Sequence, residues 1–200
     1  MSNGRLYLVV GIVMFASPLW ADHPQDRQGF WIGFGGGYGS ADVSCDACDN
    51  VGREGSFTGF VKLGGTLSKR VLLGVEGNAW VKERDSLSLG SFTGTVTFYP
   101  QACSGFFLKG GVGLSYIDTA FREESPSTPA RTGWGVLAGI GYDLRVGRNI
   151  SITPSVNFYY GQPRGLSYQV EAFGPLETIT IKSGGWKQNV IDFGIGITFH

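Results

Sequence analysis

Charge is scarce in this sequence. Asp, Glu, Lys and Arg make up only 16% of its 200 residues, against about 25% in an average protein. The charges present cancel, 16 basic against 16 acidic, which leaves no basic surface for nucleic acid. With 42% hydrophobic residues, the chain also lacks the polar, highly charged composition of a disordered segment. Histidine occurs only at His23 and His200, so general bases and zinc ligands are few. Cysteine occurs three times. Beyond residue 21 no apolar run approaches the roughly 20 residues that a membrane helix needs. What is abundant is glycine, 33 residues, more than twice the usual share of about 7%. Interior glycines cost a helix about 1 kcal/mol each, which excludes a mostly helical protein. They follow no Gly-X-Y period, which excludes collagen. Aromatic residues reach 14%. A glycine- and aromatic-rich β protein remains.

The first residues read as an address. Arg5 is the only charge before Asp22, and 6–16 is an unbroken run of apolar residues and glycine. A short polar-to-small transition through Ala21 follows, the order of a secretory signal peptide. We expect 1–21 to be removed and 22–200 to form one domain. No cysteine follows the cleavage point, which argues against a lipoprotein anchor.

The remainder is a series of period-2 runs separated by turn residues. The pattern predicts strands over 29–40, 55–67, 71–82, 87–99, 105–117, 132–146, 149–160 and 188–200. Connections 68–70, 100–104 and 147–148 are tight. Connections 41–53, 118–131 and 161–187 are long, and 83–86 is intermediate. Tight turns at one end and long loops at the other are the habit of outer-membrane barrels, whose strand number is even.

Parity supports that reading. One face carries no charge and runs Phe30 to Tyr38, Phe57 to Gly65, Val71 to Val81, and so on to Ile191 to Phe199. The other holds Lys62, Glu76, Lys82, Lys109, Asp143, Arg145 and Asp192, with many glycines. Alternation alone does not say which face is outside. Aromatics on the apolar face cluster at strand ends: Tyr38, Phe57, Tyr116, Trp134 and Tyr160 at the loop end, Phe30, Phe98, Phe106, Tyr142 and Phe199 at the turn end. Two such girdles match the headgroup levels of a bilayer. Glycine on the charged face suits the narrow lumen of eight strands, where small residues surround a few large ones. The expected fold is all-β, an eight-stranded antiparallel up-and-down transmembrane β-barrel. Pro154 fits poorly, because it cannot donate to a ladder, and marks either a bulge or a shifted register.

Three segments carry a resemblance: Gly29-Phe-Trp-Ile-Gly-Phe-Gly-Gly-Gly-Tyr-Gly39, Gly105-Phe-Phe-Leu-Lys-Gly-Gly-Val-Gly-Leu-Ser-Tyr116 and Asn189-Val-Ile-Asp-Phe-Gly-Ile-Gly-Ile-Thr-Phe199. They resemble the small outer-membrane β-barrel domain proteins of the OmpA/OmpX-like group. The resemblance spans essentially the whole mature chain and leaves no room for a periplasmic domain. Its motifs are architectural. It implies a Gram-negative cell envelope, outer-membrane lipid and lipopolysaccharide as surroundings, and recognition by the barrel-assembly machinery through a terminal aromatic residue. Here that aromatic is Phe199, with His200 after it.

Chemistry-bearing residues are few. Cys45-Asp-Ala-Cys48 lies in the first long loop, where an oxidising compartment favours a disulfide. Free thiols, a redox pair or half a metal site are the alternatives, although Asp42, Asp46 and Asp49 would raise a thiol pKa. A zinc site lacks ligands nearby, and the loop lacks the glycine of a calcium loop. Cys103 falls in a short turn at the other end and reads as an unpaired thiol. The lumen charges form either a transport path or a structural plug that satisfies buried charge. In the last loop, 166–173 and 176–182 alternate around Gly174-Pro175, which predicts a β-hairpin extending the seventh and eighth strands. It is either a stiff loop or an edge for an extracellular protein partner at 161–187. Barrels that modify lipid A need a histidine base with serine at a set spacing, which neither His23 nor His200 provides. The expectation is therefore a monomeric barrel with no enzymatic activity, cofactor or metal, serving envelope structure or surface interaction. A narrow conduit for small or hydrophobic molecules and a lipid A-modifying enzyme are the alternatives.

Overall fold

The structure is a computed structural model, and it describes residues 27–45, 51–82, 87–119, 131–163, 167–171, 178–182 and 185–200. The signal segment 1–21 and the candidate pair Cys45 and Cys48 lie outside the described side chains. The strands are β1 (Phe30–Cys45), β2 (Val51–Ser68), β3 (Val71–Lys82), β4 (Leu87–Phe98), β5 (Phe106–Thr119), β6 (Arg131–Tyr142), β7 (Leu144–Arg145), β8 (Ile150–Pro163), β9 (Ser167–Glu171), β10 (Thr178–Lys182) and β11 (Trp186–Phe199).

Each barrel strand pairs antiparallel with its sequence neighbour, and β11 pairs with both β8 and β1 to close the cylinder. Short β7 continues β6, so the wall has eight strands. Closure satisfies every edge, as a structure in hydrocarbon requires. Gly29 opens the wall with φ of 77°, a left-handed conformation that glycine adopts without strain. Its carbonyl accepts from Thr66 N at 2.9 Å, tying the entry of β1 to β2.

Several strands run beyond their expected ends. β1 continues to Cys45 and β2 begins at Val51, so 41–45 and 51–54 are ladder rather than loop. β8 likewise reaches Pro163 and β11 starts at Trp186. The alternation explains this: Ala41, Val43 and Val190 still point inward and are buried there. Pro154 produces no bulge. It faces Ile195 in unbroken register with β11. Its missing N–H instead interrupts the other ladder, where Gly141 pairs Ser155 and Leu144 pairs Ile152 in the same phase. In that phase Pro154 stands opposite Tyr142, while the Asp143 N–H donates to Gly105 O at 2.9 Å as the next rung of the β5–β6 ladder. The last-loop hairpin is present as β9 and β10, with Tyr168 opposite Ile181 and Val170 opposite Ile179. Its pairing keeps the phase of the β8–β11 ladder, Gly161 standing opposite Gln188 and Ser167 opposite Lys182, with 164–166 and 183–184 between them outside the described residues.

The wall is inverted relative to a water-soluble barrel. Phe57 is 76% exposed and Val112 69%, while Glu76 is 1% exposed and Lys109 9%. From Ile150 to Tyr160 one strand shows outward Ile150, Ile152, Val156 and Phe158. Ten steps at about 3.4 Å, tilted about 40°, give an apolar band about 25 Å tall, the hydrocarbon height of such barrels.

Candidate functional site: the lumen and its two ends

All ten girdle residues lie on the outer wall. At the loop end Tyr38 and Phe57 meet edge to face at 5.9 Å, and Trp134 meets Tyr160 at 5.5 Å. Tyr116 lies over Gly90, its cross-strand partner on β4, and Tyr38 lies over Gly55. At the turn end Phe30, Phe98, Phe106, Tyr142 and Phe199 are exposed to the outside.

Inside, the lumen is not only charge and glycine. It is stacked in tiers. Nearest the loops, Ala41, Val43, Trp80, Leu89, Ile117, Leu137, Tyr159 and Val190 form a buried apolar cluster, with Leu87 and Trp186 packed on it. Trp80 satisfies its indole N–H on Gly39 O at 3.1 Å, as a buried tryptophan must. Arg131 caps this tier, its guanidinium 4.6 Å from the Trp186 ring. Trp80 shares parity with Glu76 on β3 and Ile117 with Lys109 on β5, which is the signal that could have placed them inside.

The middle tier is polar. Lys109 Nζ donates to both carboxylate oxygens of Glu76, at 2.9 and 2.7 Å, and the Tyr159 hydroxyl donates to the same carboxylate at 3.2 Å. Asn157 Nδ2 donates to Asp192 at 2.8 Å, and Asn78 Nδ2 to Ser91 at 2.6 Å. Glycines fit around the inward aromatics. A Cβ on Gly35 or Gly196 would sit 2.6 or 2.8 Å from the Phe60 ring, so Phe60 occupies the space that these residues leave.

The lowest tier closes the turn end. Trp31, Leu72, Tyr99 and Phe107 form a second buried cluster. Tyr99 OH and Thr153 Oγ1 donate to the two oxygens of Asp143 at 2.6 and 2.7 Å. Arg27, which precedes β1 and belongs to no strand, is 1% exposed. Its guanidinium lies 3.5 Å from the Tyr99 ring centroid and donates to Ala102 O at 3.0 Å and Ser104 O at 2.7 Å. It thereby ties the approach to β1 to the β4–β5 turn. Arg145 donates to Arg148 O at 2.7 Å.

The structure thus brings Glu76 and Lys109 together and sets Asp192 among polar neighbours. Asp143 and Arg145 fall in the lowest tier. Lys82 is separate: it pairs with Glu54 at the partly exposed loop end. Lys62 points inward beside Trp31 and Phe107. Cys103 is a free, exposed thiol at the turn end. Among the described residues no group of three or more His, Cys, Asp or Glu could hold a metal.

His200 continues the alternation and turns inward, leaving Phe199 on the outer wall. Burial lowers its pKa from 6.5 to about 4, and the charges of Arg145, Arg27 and Lys62 act the same way against the opposing pull of Asp143. The folded pKa lies below the unfolded one, so this group's contribution is present above about pH 6.5 and is lost as pH falls toward 4. The expected result is a His200→Phe variant whose unfolding free energy declines less than that of the native chain between pH 6.5 and 4. Parallel denaturant titrations at several pH values check it.

The sequence matches no family model and no curated protein. Similarity is found among solved structures. Neisserial surface protein A is 14% identical, with 87% of this chain and 98% of that chain covered and a TM-score of 0.54. Ail, the attachment invasion locus protein of Yersinia pestis, crystallised with the heparin analogue sucrose octasulfate, is 15% identical, with 87% and 100% covered and a TM-score of 0.50. The fold is that of the small outer-membrane β-barrels. Fold and inverted wall together define the class: an integral outer-membrane β-barrel.

Proposed function

We propose that this protein is a monomeric, non-enzymatic barrel with a closed lumen, serving envelope structure or surface interaction through its extracellular loops. The observation that carries the reading is the filling of the lumen at both ends. A cluster containing Trp80, Leu89 and Leu137 fills the loop side, and Arg27 with Tyr99, Trp31 and Phe107 fills the turn side. Between them, Glu76 is held by Lys109 and Tyr159, and Asp192 by Asn157, as a structural plug requires of such groups. Eight strands enclose a space that side chains can fill. Activity is thereby displaced to the outer loops, where the β9–β10 ribbon, whose strands pair only with each other among the described residues, offers its edges to an extracellular protein. Lipid and lipopolysaccharide surround the apolar band, and the assembly machinery reads the outward Phe199.

In planar bilayers the purified native chain should give no stable conductance steps. Reproducible single-channel steps from pure protein would replace this reading with the narrow conduit. Lipid A mass spectra should be identical with and without the protein, and a changed acyl pattern would establish catalysis.

A further inference from the structure

The outer wall is not evenly filled. Between β4 and β5 lies an apolar hollow of about 530 Å³, within the range of about 300–1,000 Å³ that small-molecule sites occupy. Gly94 and Gly110 form its floor, and Val96, Phe98, Leu108 and Val112 its sides. Register makes the hollow. Gly94 stands opposite Val112 and Gly110 opposite Val96, so the two gaps adjoin on a diagonal across the strand pair. Packing of the wall does not impose these glycines. A Cβ on Gly94 would meet its nearest neighbour at 3.8 Å and one on Gly110 at 4.0 Å, whereas one on the inward Gly113 would meet Phe92 O at 2.1 Å.

Height decides what reaches it. Phe98 belongs to the turn-end girdle, which marks the headgroup level of the periplasmic leaflet. Gly94 lies four residues further along β4, about 10 Å higher at a rise of about 3.4 Å per residue and a tilt of about 40°. The hollow therefore lies in the periplasmic half of the hydrocarbon band, where acyl chains are the solvent. Its foot is cationic. Turn 68–70 joins β2 to β3, and Arg70 O accepts from Tyr99 N at 2.8 Å, one residue beyond Phe98. Ser68 Oγ accepts from the Arg70 and Val71 N–H groups at 3.3 and 3.1 Å, which fixes the turn. Lys69 and Arg70 are both exposed. Among the described residues of the tight turns every exposed charge is basic, namely Lys69, Arg70 and Arg148, and Arg148 lies four strands away around the wall. An apolar hollow that ends beside two exposed cations at headgroup level fits an amphiphile with an anionic head, because Lys and Arg near a bilayer surface attract anionic lipid.

We propose that the β4–β5 hollow and the Lys69–Arg70 turn together bind one anionic phospholipid of the periplasmic leaflet, an acyl chain lying over Gly94 and Gly110 and the phosphate at the turn. The site depends on the inverted wall and its orientation, not on whether the lumen is closed.

Dioleoyl-phosphatidylglycerol is the probe, titrated onto the purified native chain in detergent and counted by native mass spectrometry. The chain should take up one molecule, and dioleoyl-phosphatidylcholine should bind about thirtyfold more weakly, the difference that two basic contacts make. Lys69→Gln with Arg70→Gln, which keeps the backbone bonds of the turn, should lose that preference, and Arg148→Gln should keep it. Gly110→Leu, whose side chain enters the hollow, should weaken both lipids alike. Equal binding of the two headgroups to the native chain would overturn the proposal. So would a preference that survives in the double turn variant, one that Arg148→Gln removes, or a Gly110→Leu chain that binds as the native one does. Uptake of lipid A in place of phosphatidylglycerol, or a dimer that Gly110→Leu dissolves, would overturn it too, by giving the hollow to the other leaflet or to a second copy. Should Gly110→Leu fail to fold, the headgroup comparison and the turn variants decide the matter.

Discussion

Glu76→Ala should destabilise the barrel by about 3–5 kcal/mol, the usual cost of removing one partner of a buried ion pair. The carboxylate is 1% exposed and holds the Lys109 ammonium through both oxygens. Its loss leaves Lys109, 9% exposed, charged in a space that water does not freely reach. It also leaves the Tyr159 hydroxyl without its acceptor, a further orphaned buried donor. The pair need not itself be a large net source of stability, since desolvation offsets most of its attraction. Replacing both members, as Glu76→Met with Lys109→Met, should therefore recover most of the loss. Lys82→Ala is the contrast. Its partner Glu54 is 37% exposed at the loop end, and exposed pairs contribute about 0–1 kcal/mol. Denaturant unfolding in detergent, followed by tryptophan fluorescence, separates the three. Equal losses for Glu76→Ala and the double variant would show that packing, not unmatched charge, governs this tier.

The wall was legible in the sequence because a strand's period of two exposes its geometry directly. Val71–Lys82 is found at its expected bounds, and the two aromatic girdles lie on the expected face. The contents of the lumen were less legible. Trp80 shares parity with Glu76 and Asn78, so its inward direction followed from the pattern. A tryptophan among charges nevertheless reads as an exception until its neighbours from other strands are known. Leu89, Leu137 and Val190 lie far apart in the chain and meet only through closure and register. Arg27 carried no signal at all. It precedes the first strand, obeys no period, and gains its role from a carbonyl pair in a turn some seventy-five residues away. Pro154 was a true anomaly with the wrong remedy assigned: the chain leaves one ladder bond unmade rather than inserting a residue.

The same substitution at two glycines should give opposite results and so test which face is inside. Gly37 lies on β1 at the closing seam, opposite Gly194 of β11. A Cβ there would sit 2.2 Å from Phe193 O and 2.6 Å from Gly194 Cα. Both are backbone atoms, so no rotamer change relieves the clash, and only separation of β1 from β11 makes room. Separation exposes unpaired backbone groups to hydrocarbon at several kcal/mol each. Gly65 lies on β2, and a Cβ there meets nothing within 4 Å. A side chain at that position projects into the apolar band, where valine suits a strand better than glycine by up to about 1 kcal/mol. Gly37→Val should consequently leave the chain unfolded, a loss beyond about 4 kcal/mol, while Gly65→Val should fold as well as the native chain or better. Electrophoresis without boiling resolves the compact folded barrel from the unfolded chain and reads both results. A folded Gly37→Val barrel would mean that the seam is looser than its glycine pairs imply, and an unfolded Gly65→Val barrel would mean that the outer wall is packed against protein rather than lipid.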